Sequence, residues 1–416
     1  MSNPFTSGVF VKVWSEHFNQ SKPILTIEGI KGLGFVKKDR FPFLYNAGKN
    51  LTKGLEYTID AHKLKHLKHN IICIQDVVSS ADNSDGSNDL ALKILKTKLY
   101  PGFAIELERF DSIEHYLNTH FKKPSRYKIK KHKKRLETCF DISYKTYWGE
   151  LNEGTYLELF QSFRMLLEKR YKAKKVYNNN LDKKEWDFYL KVYYPLILEK
   201  KAALFVTYEN SNPIAITLLT IKEHTAIHTL TVFDIDYSKF QLGSSSNLQL
   251  IDWCLQNNFK ILDFSKGHFD YKVRWSTKKY DFEYHVLYNP KSIVSSLLAY
   301  AKFSKEHLKM ILRKRKVNGH VHRLTYFFRN FKPLGQSFTT NSYTLKDNLD
   351  TNEKLGWEKV AIESIDPIRR KGVFDFLYLS QEPLHDILIF ESHSEGTLRI
   401  RGQEMEKFLV KNRDNR

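Results

Sequence analysis

Gly243-Ser244-Ser245-Ser246 stand directly before the helical pattern Asn247–Asn257, and a strand-like run ends ten residues upstream at Phe233. Small residues at a helix N-terminus leave backbone N–H groups free to face an anion, with the helix dipole behind them. Gly243 lets a phosphate approach the main chain closely, and Phe233 and Gln241 flank the same turn. The pattern is also that of an ordinary helix cap. Downstream, the strand Ile261–Phe264 leads into Gly267 and Tyr271-Lys272. A lysine just beyond a sheet edge can neutralise a phosphate or stabilise charge developing on an acyl oxygen. Candidates to take a proton from an attacking amine or hydroxyl are Asp234, Asp236, His228 and His268. His228 lies inside a strand pattern and reads as structural.

The elements that must hold these residues are legible in the hydrophobic periodicity. Gly154–Ala173 carries Tyr156, Leu159, Phe160, Phe163, Leu166, Leu167 and Tyr171 at helical spacing. Leu181–Leu198 is a second helix with Asp182 as its cap, and strands follow at Ala202–Tyr208, Pro213–Lys222 and Thr225–Phe233. The order helix, helix, three strands, helix, strand is an α+β plan with a largely antiparallel sheet. Upstream, Lys122–Arg135 holds nine Lys/Arg and no acid. It reads as a helix capped by Ser125 after a break at Pro124, with Ile129, His132 and Leu136 on one face. That face of charge suits an anionic partner.

The first hundred residues show short β-rich runs at Val9–Trp14, Ile24–Ile27, Phe41–Tyr45 and Ile71–Val77, punctuated by Gly and Pro. Ala61–His69 places His62, His66 and His69 among lysines and reads as a solvated basic helix with no metal role. Ser79–Asp89 is an exposed loop. Asn289–Phe331 is basic and amphipathic, suited to cover a sheet or to lie on an anionic membrane. In Gly335–Arg416 strand-like runs occur at Lys359–Ile365, Phe374–Leu379, Ile387–Phe390 and Leu398–Arg401, before a frayed Lys411–Arg416.

Composition bounds the rest. A chain of 416 residues with 41% hydrophobic residues can bury two or three cores, and its formal charge of +20 bears on partners more than on fold. Cys73, Cys139 and Cys254 are widely spaced and point to a reducing compartment. No signal-peptide pattern opens the sequence and no apolar run approaches membrane-spanning length. The expected location is cytoplasmic; if Asn289–Phe331 lies on a membrane instead of covering a sheet, attachment is peripheral, at the inner membrane face.

Three stretches resemble a known family. Arg126–Leu136 (RYKIKKHKKRL), Phe233-Asp234-Ile235-Asp236-Tyr237…Gly243 and Asp263-Phe264…Gly267…Tyr271-Lys272…Arg274-Trp275 look like signatures of GNAT-type acyltransferases. The particular likeness is to the CelD/BcsL-like group of cellulose and exopolysaccharide biosynthesis, distantly similar to Fem peptidyltransferases. The single glycine at Gly243, preceded by Gln241-Leu242, departs from that group's usual turn. The resemblance, over roughly residues 100–290, implies tandem GNAT-like domains of mixed sheets flanked by helices. The expected division is 1–145, 146–332 and a small α+β extension at 333–416. It implies acetyl-CoA or another acyl-CoA as co-substrate, no tightly bound cofactor or metal, and a sugar, nucleotide-sugar or glycan acceptor. Donor contacts are expected from Phe233, Gln241, Gly243, Ser244, Ser245 and Ser246, and acceptor contacts from Arg126, Lys130, Tyr237, Tyr271 and Arg274. Lys272, His268 and Asp236 are the expected catalytic groups. The alternatives are Fem-like transfer from aminoacyl-tRNA and a non-catalytic polyanion binder of the same fold.

Overall fold

The computed structural model describes residues 3–37, 42–60, 63–64, 70–79, 92–314, 343–349, 356–393 and 396–412. The stretch with His62, His66 and His69, nearly all of Ser79–Asp89, the chain between Lys314 and Tyr343, and the last four residues lie outside these.

The N-terminal part runs α1 (Gly8–Phe18), β1 (Ile30–Lys31), β2 (Phe35–Lys37), β3 (Phe43–Asn46), β4 (Thr58–Ile59), β5 (Ile71–Val78) and β6 (Lys93–Glu106). The middle of the chain gives α2 (Ile113–His120), α3 (Lys123–Cys139), β7 (Ile142–Tyr147), α4 (Glu153–Lys174), α5 (Lys183–Leu198), β8 (Ala202–Glu209), β9 (Asn212–Lys222) and β10 (Thr225–Phe233). There follow α6 (Leu242–Gln256), β11 (Ile261–Lys266), α7 (Asp270–Trp275), β12 (Lys278–Tyr288) and α8 (Ile293–Lys314). The last unit contains β13 (Tyr343–Lys346), β14 (Trp357–Lys359), α9 (Pro367–Ser380), β15 (Leu388–Ser392), β16 (Leu398–Arg401) and β17 (Glu406–Lys411).

One ten-stranded sheet unites the first two parts in the order β2-β3-β5-β12-β6-β11-β10-β9-β8-β7. It is antiparallel except at β3–β5 and β10–β11. β12, late in the chain, inserts between β5 and β6 of the N-terminal half. A division at residue 145 therefore falls inside β7, and the two halves share their central strands. Alternation along β8 sends Leu204 and Val206 to one face and Ala203 and Phe205 to the other. The first face packs α1, α4 and α5 through Phe10, Phe163 and Phe188; the second packs α2 and α6 through Tyr116 and Ile251. Each such side chain contributes roughly 1.5–3 kcal/mol of burial.

Several expected elements change type. Val9–Trp14 is part of α1, not a strand. The Ser7 hydroxyl caps it by accepting from Phe10 N–H at 3.3 Å, and Phe10 packs edge-on against Phe188 with centroids 5.3 Å apart. Phe374–Leu379 is likewise helical: Asp366 accepts from the N–H groups of Ile368 and Arg369, and Pro367 opens the first turn. Short apolar runs fit either period, and caps decided both cases. Within Lys359–Ile365 a 3-10 turn replaces the strand. α3 starts at Lys123, because Pro124 in the first turn interrupts no intrahelical bond.

The C-terminal sheet, in the order β13-β17-β16-β15-β14, carries α9 on one face. α9 docks on α3 and on the chain after β10, with Phe374 against Phe140 at 4.9 Å and against Tyr237 at 4.7 Å. Cys73, Cys139 and Cys254 are buried and unpaired. No helix among the described residues is long and apolar enough to cross a membrane.

Candidate active site

β10 and β11 pair only where Thr225–Ile227 faces Ile261–Asp263. Beyond that point β10 continues to Phe233, with a bulge between His228 and Leu230, while β11 ends at Lys266. α6 joins the two strands, so its N-terminus stands at the carboxyl end of β10, where crossovers of this kind present ligand sites. A cavity of about 360 Å³ opens there. Its walls include Thr217, His228, Thr231 and Phe233 from the sheet, Gln241, Gly243, Ser244, Ser246 and Asn247 from α6 and its cap, Arg170 from α4, and Tyr271, Arg274 and Trp275 from α7. From His228 to Phe233 it follows β10 for roughly 16 Å, at one strand rise per residue.

The start of α6 leaves backbone donors beside the cavity. Gln241 holds the N-cap position at φ 55° and supplies no side-chain cap. The N–H groups of Ser244 and Ser245 turn back to the Gln241 carbonyl at 2.7 and 3.2 Å. Those of Leu242 and Gly243, ahead of them, have no such acceptor in the helix. A Cβ on Gly243 would stand 2.7 Å from Cε1 of Phe233, so only glycine lets strand and helix meet this closely. The Arg170 guanidinium lies over the Phe233 ring, 4.3 Å from its centroid, and Arg274 Nη2 donates to Ser244 Oγ at 3.2 Å. Among the described residues neither arginine has a carboxylate partner. Burial pulls the Arg170 pKa below its ordinary value, because desolvation disfavours the charged guanidinium.

The deep end is polar and unsatisfied. His228 is 7% exposed, and neither ring nitrogen has a hydrogen-bond partner in the protein; Asn247 Nδ2 is in the same state. Thr217 and Thr231 bond each other at 2.9 Å. Burial pushes the Tyr271 phenol up to about 12. Burial, aided by the Lys272 ammonium, pulls His228 down to about 3. The unfolded chain protonates this histidine near pH 6.5. The folded chain resists until about pH 3. The stability associated with its neutral form is therefore complete above pH 6.5 and is lost as pH falls toward 3. His228→Leu should flatten that loss, measured as urea midpoints near about pH 7 and about pH 4. Midpoints that fall in parallel for both proteins would remove His228 from the acid response.

Of the residues expected from the sequence, Phe233, Gln241, Gly243, Ser244, Ser246, Tyr271 and Arg274 line the cavity. Ser245 faces inward and is buried away from it. The expected catalytic groups lie outside. Lys272 is buried, and its ammonium donates to the carbonyls of Ser265 at 3.2 Å and Lys266 at 2.8 Å, closing the turn after β11. Burial lowers its pKa to about 8, and Asp263 opposes the shift. His268 is exposed, edge-on to Phe103 at 5.8 Å. Asp236 is buried, and its Oδ2 is bonded to Lys169 at 2.6 Å and to Arg370 at 3.0 Å, so this carboxylate is held by two cations away from the cavity. Asp234 shares Lys169 at 2.5 Å.

Three expected acceptor residues also have local partners. Tyr237 packs between Phe140 and Phe374 in the C-terminal core. Arg126 donates to the Phe121 carbonyl at 2.7 Å, beyond the end of α2, and Lys130 pairs with Glu114 at 2.6 Å. Arg170 and Asn247 carry the cavity instead. The signal for Arg170 was its place on the buried stripe of α4, at i+7 from Phe163, where a charge needs a reason.

Residues 123–273 match the acetyltransferase (GNAT) domain family, a span from α3 into α7 that holds all the cavity-lining residues except Arg274 and Trp275. No curated protein matches the chain significantly. Among solved structures the chain is similar to FemX, at 12% identity over 66% of this chain and 90% of that chain, with a TM-score of 0.46. It is similar to a C-terminal domain assigned to lysylphosphatidylglycerol synthetase from Agrobacterium fabrum, at 10% identity over 70% and 95% of the two chains, TM-score 0.43. It is also similar to a tandem GNAT protein from the clavulanic acid biosynthesis pathway, at 10% identity over 67% and 93%, TM-score 0.33.

Proposed function

We propose that the chain is an acyl-CoA-dependent acyltransferase that modifies an amine or hydroxyl of a sugar or cell-envelope polysaccharide precursor at the cytoplasmic face. The observation that carries this reading is the uncapped N-terminus of α6, opening with Arg170 and Arg274 onto a cavity that runs along β10. The N–H groups of Leu242 and Gly243 and the two guanidiniums would hold the donor's pyrophosphate. Its amide-bearing arm would follow β10 and give Asn247 and His228 the partners they lack. The acceptor atom attacks the thioester carbonyl, the C–S bond breaks, and the proton lost by the acceptor ends on the departing sulfur. Tyr271, which stays protonated at neutral pH, would relay that proton, giving its own to the sulfur and recovering the one the acceptor loses. The acceptor class rests on the likeness of Arg126–Leu136 and Asp263…Trp275 to the CelD/BcsL-like signatures.

A second reading, transfer from aminoacyl-tRNA, draws on a groove of about 730 Å³ lined by Tyr127, Lys130, Lys131, Lys134 and Arg135 of α3. The two separate by donor. Acetyl-CoA should raise the melting temperature of the wild type. Arg170→Ala or Arg274→Ala should weaken that binding roughly 10- to 100-fold, the loss of a charged hydrogen bond. A chain that no CoA ester stabilises, but that binds charged tRNA, would overturn the first reading in favour of the second.

A further inference from the structure

α8 has two apolar faces, and among the described residues only one is covered. Ser295, Ala299 and Met310 turn toward β6 and β12, with Leu298 and Phe303 packed beside them. On the other side Ile293 is 86% exposed, Leu297 71%, Tyr300 52% and Leu308 56%, and Ile311 and Leu312 continue the stripe. At 100° per residue these six fall within about a third of the helix circumference. Exposed large hydrophobics elsewhere in the described residues are scattered; here they are contiguous, which marks an interaction surface.

The charges around the stripe say what covers it. Lys291, Lys305 and Lys309 are exposed on or beside the helix. The one acid of α8, Glu306, is buried and already held by Lys302 at 3.4 Å and Lys309 at 3.0 Å. From His307 to Lys346 the sequence contains nine Lys/Arg and no Asp or Glu. A second copy laid on this stripe would bring lysine against lysine with no acid on the helix to relieve it. An anionic bilayer surface offers both an apolar layer and negative headgroups. We propose that α8 docks the protein on anionic membranes, its stripe from Ile293 to Leu312 entering the interface and its lysines meeting the phosphates. The helix is about 33 Å long at 1.5 Å per residue and lies in the plane of the surface.

Sedimentation of the full chain with phosphatidylcholine vesicles, and with vesicles containing phosphatidylglycerol, tests this directly. Binding should favour the anionic vesicles and weaken as salt is raised. Leu297→Glu with Leu308→Glu should lower it roughly 30-fold or more, since two leucines no longer leave water. Lys291→Glu with Lys305→Glu should remove the preference for anionic lipid. Both pairs are solvent-exposed, so melting temperature and acetyl-CoA response should stay at wild-type values. Absence of binding to anionic vesicles, or binding that both variants retain, overturns the proposal. A wild type that is dimeric in solution and becomes monomeric in the leucine variant also overturns it, in favour of a second copy as the occupant.

Discussion

Gly243→Glu is expected to lower kcat/KM for the acyl donor by at least about 100-fold, or about 2.7 kcal/mol of transition-state stabilisation. Two effects act together. The new Cβ would lie 2.7 Å from the Phe233 ring and force strand and helix apart. The carboxylate would also occupy the end of α6 where Leu242 and Gly243 N–H groups, Arg170 and Arg274 converge, and would satisfy them in place of the donor. Phe233 is only partly buried, so its ring can yield and the fold should survive. Gly243→Ala isolates the steric part and should show a smaller loss. The measurement is steady-state kinetics with acetyl-CoA, alongside a thermal-shift titration in which the glutamate variant no longer responds. Undiminished kcat/KM in that variant would take the helix end out of the mechanism.

Asp236→Ala should cost about 3–5 kcal/mol of stability, the loss expected when one partner of a buried ion pair is removed. Its carboxylate lies between Lys169 of α4 and Arg370 of α9, and it is 3% exposed. Without it Arg370 loses its carboxylate partner and Lys169 keeps only Asp234. The same loop carries Ser238 and Gln241 to the cavity wall, so donor binding should weaken as well. Urea unfolding gives the cost, and limited proteolysis should show the C-terminal unit around α9 becoming cleavable. In Arg370→Ala/Asp236→Ala the combined loss should be smaller than the sum of the singles, because the two changes share one interaction. An unchanged midpoint for Asp236→Ala would mean that the clamp contributes nothing.

These two positions divide what could be read early from what could not. Gly243 was recognisable because its meaning is local: a small residue opening a helix leaves donors free whatever surrounds it. The strand order from Ala202 to Phe233 and the amphipathic α4 were legible for the same reason, since burial follows a period within one element. The departures came where period was short or partners were distant. Val9–Trp14 and Phe374–Leu379 are too brief to distinguish strand from helix, and the caps at Ser7 and Asp366 settled them.

Asp236 had the residue type and position of a base, but its partner Arg370 stands 134 residues away. Lys272 had the look of a reacting cation, and only the fold shows its ammonium turned onto two carbonyls of its own turn. Conversely, His228 looked structural, and Arg170 stood unremarked among the helical residues of α4, until the parting of β10 and β11 opened a cavity beside them. By itself the sequence determined the α+β class, the main helices and the glycine-serine start of α6, all set by spacing along the chain. Which charges are neutralised and which are left facing a cavity is a matter of distances between remote segments, and only the tertiary structure decided that.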